Sequence, residues 1–290
     1  MKVSVVIPTF NSGKTLEKCL KSLRSQTLKP SEIIVVDSFS KDNTVSIAKK
    51  YNCKIIQKKS NIAQARNLGV KAAKGEVIVF IDSDCVAGKR TLEELIRPMT
   101  ENYEKFVVGS IRINKKDDVA VVFGLNWELQ TSAEGYVNTS ATACVAIKDE
   151  VFKKVGLFRN VISEDIDFCL RARKKGFRIY RNPKAYVIHL YPYGMLKAFK
   201  KWWKYAKGYR YLFLKYPNLF YKAIFIRGLY LLMATGSIFK PSLLIAVFSP
   251  TVYYSLKFSK YIKGTRLFKL AFLANLKFLV HSASIFLNWS

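Results

Sequence analysis

Beyond Asp167 the chain has no acidic residue. All 20 Asp and Glu lie at or before that position, whereas residues 168–290 carry 23 of the 49 Lys and Arg. A block of one sign this large points to an anionic partner: nucleic acid, anionic lipid or a phosphorylated substrate. No zinc finger or RNP signature accompanies it, which argues against nucleic acid. Cysteine is sparse: Cys19, Cys53, Cys85, Cys144 and Cys169 are odd in number and form no C-x-x-C pair. That excludes a disulfide frame or zinc ribbon and suggests buried thiols in a reducing compartment. Neither G-x-G-x-x-G nor G-x-x-x-x-G-K-[ST] occurs, so a dinucleotide fingerprint and a P-loop are both missing. Any phosphate would then have to be held by a metal. Lys2 leads straight into a strand, so no leader peptide is expected.

Among the residues that are present, Val77-Ile78-Val79-Phe80-Ile81 is the organising run. Five large apolar residues, four of them β-branched, read as a strand buried on both faces of a parallel sheet. The run ends in Asp82-Ser83-Asp84, where charge must leave the layer. Open α/β folds place their ligands at that carboxyl edge. In extended chain, residues two apart project to one side, so both carboxylates could address one hard cation. A solvated turn is the simpler alternative.

Upstream, Val3–Ile7 reads as a strand closed by Pro8, and Leu16, Cys19, Leu20 and Leu23 share a helical face. Ile33–Val36 is a second strand ending in Asp37, and Ser38–Asn43 forms a polar turn capping a helix from Thr44. Ile55-Ile56 gives a third strand, followed by a helix over Ala63–Ala73 that stops at Gly75. Four strand–helix alternations with short connections predict right-handed βαβ units and helices on both faces.

After a helix at Leu92–Pro98 and a strand at Phe106–Ile113, the small polar stretch Asn138–Ala143 suits either a tight ligand wall or an ordinary loop. Ser163 is a candidate N-cap for a helix holding Glu164, Asp165 and Asp167 in its first turn and ending at Gly176. Acids in a first turn match the helix dipole without further purpose. Alternatively, one carboxylate there acts as a general base. Ala185–His189 is a strand-like run ending in one of only two histidines.

Taken in order, Val5-Val6-Ile7-Pro8-Thr9-Phe10-Asn11, Ile34-Val35-Val36-Asp37 with Asp42-Asn43-Thr44, Ala65-Arg66-Asn67-Leu68-Gly69, Asp82-Ser83-Asp84 and Glu164-Asp165 resemble the motifs of family 2 glycosyltransferases over roughly residues 2–190. The resemblance implies an α/β GT-A domain, a Rossmann-like, mainly parallel mixed sheet with helices on both faces, at 1–190. Residues 191–290 would form an α-helical, membrane-associated region. It implies inverting transfer of one sugar from a UDP-, GDP- or dTDP-sugar, with Mg²⁺ or Mn²⁺ as cofactor. Asp37 would contact the base or ribose, with Pro8, Thr9 and Asn11 lining the same pocket and Arg66 near the phosphates. Asp84 would ligate metal, Asp82 with Ser83 would reach the ribose or the metal, and His189 would complete the metal or diphosphate shell. Asp165 would take the acceptor proton, with Glu164 supporting the acceptor side. Two departures stand out: Ser38 replaces a frequent second Asp, and the Q-x-x-R-W motif of processive synthases is absent, which favours single additions.

Lys197–Lys222 interleaves Lys and Arg with Trp and Tyr, as an interfacial helix on anionic lipid requires. Gly228–Phe239 and Ser242–Leu256 are uncharged but split by Lys240-Pro241, and Leu270–Trp289 contains Lys277 and His281. Each falls short of a clean span of about 20 residues. The expectation is a membrane-attached enzyme with its catalytic domain on the cytoplasmic face, a lipid-linked or glycan acceptor, and no nucleic acid. A polyprenyl-phosphate glycosyl synthase, whose acceptor is the lipid phosphate, is the alternative enzyme. A non-catalytic membrane-bound scaffold that binds glycan or a partner is the alternative of another class.

Overall fold

The computed structural model describes residues 1–113 and 118–190, with scattered residues beyond. The chain divides into two compact units. The first comprises Met1–Lys115 and Gly124–Tyr191, and the second Lys116–Phe123 and Pro192–Ser290. The stretches read above as membrane-associated, Lys197–Lys222, Gly228–Phe239, Ser242–Leu256 and Leu270–Trp289, lie largely outside the described residues. Among the described residues, no helix is long and apolar enough to cross a membrane.

In chain order the elements are β1 (Val3–Thr9), α1 (Leu16–Arg24), β2 (Glu32–Asp37), α2 (Thr44–Lys50), β3 (Lys54–Gln57), α3 (Ile62–Ala72) and β4 (Val77–Ile81). They continue with β5 (Cys85–Ala87), α4 (Thr91–Glu101), β6 (Phe106–Ile113), α5 (Asp118–Thr131), β7 (Gly135–Val137) and β8 (Cys144–Lys148). The last are α6 (Asp149–Val155), α7 (Glu164–Lys174) and β9 (Ile179–His189). The strands form one sheet in the order β3-β2-β1-β4-β8-β6-β9-β5, with β7 paired to β9. β2, β1 and β4 run parallel, and β8 runs antiparallel between β4 and β6. The chain leaves β1 towards β2 and β3 on one side, returns through α3 to β4 on the other side of β1, and from there continues away from β1. The crevice beyond its carboxyl end is thus a topological switch point.

Side chains along β4 alternate between two cores. Val77, Val79 and Ile81 join Leu16, Leu20, Leu23, Leu92 and Leu95 on one face. Ile78 and Phe80 join Ala65, Phe152, Phe158 and Phe168 on the other. That is why the strand is uninterruptedly apolar. Phe80 meets Phe158 edge-on at 5.5 Å, and Phe158 lies 4.6 Å from Phe168. Each fully buried ring contributes about 1.5–3 kcal/mol. Together they seat α7, which begins with Glu164 and Asp165.

Three local expectations need correction. Gly75 does not stop α3, which ends at Ala72. Gly75 instead lies against β1, where a Cβ would come 2.7 Å from the Ser4 nitrogen. Pro98 does not end α4 either, for the helix continues to Glu101. Proline has no N–H for the Glu94 carbonyl, and buried Asn182 donates its amide to that carbonyl at 2.8 Å instead. Ser163 occupies the cap position of α7 but has φ 65° and makes no side-chain cap bond. Its left-handed backbone departs from the extended geometry with which a capping hydroxyl reaches N2 or N3.

Candidate active site

Thr9 and Asp37 are register partners at the carboxyl ends of β1 and β2. Asp37 is fully buried and accepts hydrogen bonds from the Thr9 hydroxyl at 3.1 Å, the Ser40 amide at 3.0 Å, the Ser40 hydroxyl and the Gln57 amide at 3.4 Å. The two loops beyond the strands are laced together. Asn11 donates its amide to the Ser40 hydroxyl at 2.8 Å and accepts from the Lys41 amide at 2.9 Å. Asp42 accepts from the Gly13 and Thr44 amides and the Thr44 hydroxyl, which offset its desolvation and hold it below the usual carboxylate range. Asn11 and Phe39 both adopt positive φ, 49° and 54°, and the Phe10 and Phe39 rings on these loops stand exposed. A bulky aromatic in that region costs of order 1–3 kcal/mol, which is characteristic of a ligand-binding loop.

Beyond β4 the chain is not extended. The Cys85 amide donates to the Asp82 carbonyl at 3.0 Å, closing a turn over Asp82–Cys85. The same-side argument therefore does not hold for Asp82 and Asp84, whose carboxylates engage different partners. Asp82 accepts from Arg66 at 3.1 Å, and Asp84 lies 3.5 Å from His189 Nε2. Ser83 exchanges a 2.9 Å hydrogen bond with Ser12, joining this turn to the loop after β1.

Arg66 is the centre of the arrangement. It sits in α3, which approaches β1 so closely that a Cβ on Gly69 would meet Val6 at 2.2 Å. Its guanidinium pairs with both Asp82 and Glu164. Burial alone would weaken its hold on the proton, but Asp82, Glu164 and Asp165 more than compensate. Its buried Nε has no partner among the described residues. Asp165 is half-buried and, among the described residues, accepts a hydrogen bond only from the Ile166 amide, at 2.8 Å. Desolvation, reinforced by Glu164 and opposed by Arg66, pushes its carboxyl up to about 7. Two residues on, fully buried Asp167 is bridged by Arg171 at 2.8 Å and approached by Arg159 at 3.6 Å, and Arg171 also caps the Val155 and Leu157 carbonyls. Asp167 anchors the helix, and Asp165 does not.

His189 ends β9 opposite Cys85 of β5. Asp84, Cys85 and His189 each present a donor atom within 4.8 Å of the others. A carboxylate oxygen and an imidazole nitrogen fit a divalent cation that leaves its other positions to water and substrate phosphate. The Cys85 thiol is raised well above its usual range by burial and by Asp84 and Asp82.

Sequence reading overlooked Ser12, Ser40 and Cys85, for which only their nearness to named motifs could have spoken. Thr142 lies in the stretch read as either a ligand wall or an ordinary loop, with no role of its own assigned. The Ile81–Cys144 pairing brings the Asn138–Ala143 stretch to the end of β4, and there the Thr142 hydroxyl is buried with no partner among the described residues.

A switch-point crevice lined by acids at several strand ends defines an α/β protein of the nucleotide-handling kind. Residues 4–162 match the family described as Glycosyl transferase family 2, more than half of the chain, and the protein belongs to that family. The poly(ribitol-phosphate) beta-N-acetylglucosaminyltransferase TarP of Staphylococcus aureus (strain N315) is 37% identical over 124 residues, 40% of this chain and 38% of that one. The chain thus aligns with about two-fifths of that relative's length. S. aureus TarS 1–349, solved in complex with UDP-GlcNAc, superposes with TM-score 0.56 at 24% identity, covering 72% of this chain and 66% of that one. The mannosyltransferase PcManGT from Pyrobaculum calidifontis, solved with GDP-Man and Mn²⁺, gives 0.64 at 17% identity over 98% and 84%. These likenesses establish a GT-A-like fold.

Proposed function

We propose that the protein is a metal-dependent, inverting glycosyltransferase that moves one sugar from a nucleotide-sugar donor to a lipid-linked or glycan acceptor at a membrane surface. The observation that carries this is the double ion pair of Arg66, which joins Asp82 on the donor side to Glu164 on the acceptor side. The same guanidinium stands within electrostatic reach of Asp165. Recognition of the donor, positioning of its sugar and activation of the acceptor then share one preorganised charge network.

Asp37, with Pro8, Thr9 and Asn11, holds the base or ribose, and Asp82 with Ser83 meets the ribose. Asp84 and His189 would hold Mg²⁺ or Mn²⁺, which when bound neutralises the departing diphosphate. Asp165 accepts the acceptor's proton. A carboxyl raised to about 7 is matched to that task near neutral pH, because it is a stronger base than an ordinary aspartate. A single carboxylate serving the acceptor supports inversion, and Glu164 holds Arg66 within electrostatic reach of Asp165. The basic, aromatic-rich residues 191–290 support attachment to anionic lipid with the catalytic domain on the cytoplasmic face. The names of TarP and of the TarS complex support a UDP-sugar and a glycan acceptor.

The test is release of nucleoside diphosphate from UDP-, GDP- and dTDP-sugars with Mn²⁺, Mg²⁺ or EDTA, alone and with polyprenyl phosphate. Metal-dependent turnover of one donor is expected, and loss of turnover in Asp84→Ala assigns it to this site. Stimulation by the lipid phosphate would make that lipid the acceptor. Failure of every donor to bind would overturn the reading in favour of a non-catalytic scaffold.

A further inference from the structure

Cys85 stands directly opposite His189 in the antiparallel pairing of β5 and β9. Opposed residues carry their side chains on one face with Cβ atoms about 4.5–5.5 Å apart. Thiol and imidazole are therefore neighbours by construction, and Asp84 at the head of β5 brings its carboxylate to both. Cys85 Sγ lies 3.9 Å from Asp84 Oδ1, and His189 Nε2 lies 3.5 Å from the same oxygen. A tetrahedral ion with metal–sulfur bonds of about 2.3 Å and metal–nitrogen and metal–oxygen bonds of about 2.1 Å sets sulfur and oxygen about 3.6 Å apart and nitrogen and oxygen about 3.4 Å apart. The observed spacings differ from these by only a few tenths of an ångström.

We propose that Asp84, Cys85 and His189 form a three-donor site for thiophilic divalent ions such as Zn²⁺ and Co²⁺, which it takes in preference to Mg²⁺ and Mn²⁺. The inference rests on the reading of Asp84 and His189 as metal donors and adds the sulfur. On binding, the Cys85 S–H bond breaks, the proton leaves to solvent, and sulfur's electron pair forms the metal–sulfur bond. The fourth position stays open to water or a phosphate oxygen. Hard ions use only the carboxylate and the imidazole and leave the thiol protonated. Zn²⁺ thus competes with Mg²⁺ and Mn²⁺ for the same two donors and acts as an inhibitor or a regulator of the site. If Cys85 only fills the sheet face as a small apolar residue, no metal contacts sulfur.

The test uses the reduced full chain and metal alone, without donor or acceptor. Co²⁺ is titrated while the sulfur-to-cobalt charge-transfer absorption is followed, and Mn²⁺ binding is measured in parallel by electron paramagnetic resonance. The band is expected in the wild type and in Cys19→Ser, Cys53→Ser, Cys144→Ser and Cys169→Ser, and should be absent in Cys85→Ser and Cys85→Ala. In those two variants Zn²⁺ affinity should fall by about tenfold or more, while Mn²⁺ affinity stays within about twofold. The wild-type spectrum, with the same band retained in Cys19→Ser, Cys53→Ser, Cys144→Ser and Cys169→Ser, locates the sulfur at Cys85 even if replacing Cys85 unfolds the chain. Mn²⁺ binding with no Co²⁺ band, or a band that survives Cys85→Ser, removes Cys85 from the site and leaves the transferase reading intact. Binding of neither ion overturns both.

Discussion

The two ends of the crevice each withdraw a carboxylate from solvent, Asp37 fully and Asp165 in part, but they treat it in opposite ways. At the end proposed for the donor, Asp37 is surrounded by hydrogen-bond donors from Thr9, Ser40 and Gln57 and carried on loops that lace into one another. At the end proposed for the acceptor, Asp165 follows a left-handed Ser163, receives one backbone amide, and faces like charge from Glu164 and Asp82. A carboxylate saturated with donors is suited to recognition, since its charge is already spoken for. One left under-solvated holds its proton too tightly and becomes a usable base. The contrast repeats within a single turn of α7, where Asp167 is neutralised by Arg171 and Asp165 is not.

The sharpest way to break this comparison is Asp165→Asn, which keeps the shape and removes the base. Turnover should fall about 10²–10⁴-fold, while thermal stability should rise. The sign follows from the direction of the shift. The folded chain binds this proton more tightly than the unfolded chain, with a carboxyl at about 7 against an ordinary 3.8. Ionising Asp165 therefore costs stability as pH rises through that window, and the variant does not ionise. An unchanged rate, or a lower melting temperature, would place Asp165 with Asp167 as a structural acid.

Arg66→Ala comes next. It leaves Asp82 and Glu164 uncompensated in a buried setting and should destabilise by about 3–5 kcal/mol in chemical denaturation, with transfer lost as well. Asn182→Ala should cost about 1–3 kcal/mol, because it orphans the Glu94 carbonyl that Pro98 cannot serve, yet kcat should hold. That variant separates stability from catalysis. The smallest effect expected is for Ser163→Gly, which relieves the left-handed backbone and should gain at most about 1 kcal/mol.

Much of the fold was legible because apolar runs and helical periodicity are local. The first four strands, the two-faced burial of Val77–Ile81 and the acids at strand ends follow from residue spacing alone. What stayed hidden depended on partners distant in sequence. β5 is three residues long and exists because β9 supplies its ladder, and α4 outlasts Pro98 because Asn182 arrives from 84 residues downstream. The acids marked the end of β4 but not the Asp82–Cys85 turn beyond it, and that turn defeats the pleat argument. Asp82, Asp84, Glu164 and Asp165 could be picked out, but the guanidinium that joins two of them is a property of packing between α3 and α7.

The most direct measurement of the central claim is kcat/KM against pH for wild type with the preferred donor. The rate should rise with unit slope through an apparent pKa near 7 and then level, with that limb gone from the residual activity of Asp165→Asn. A flat profile across that region, or the same limb in the variant, would contradict the assignment of Asp165 as the base.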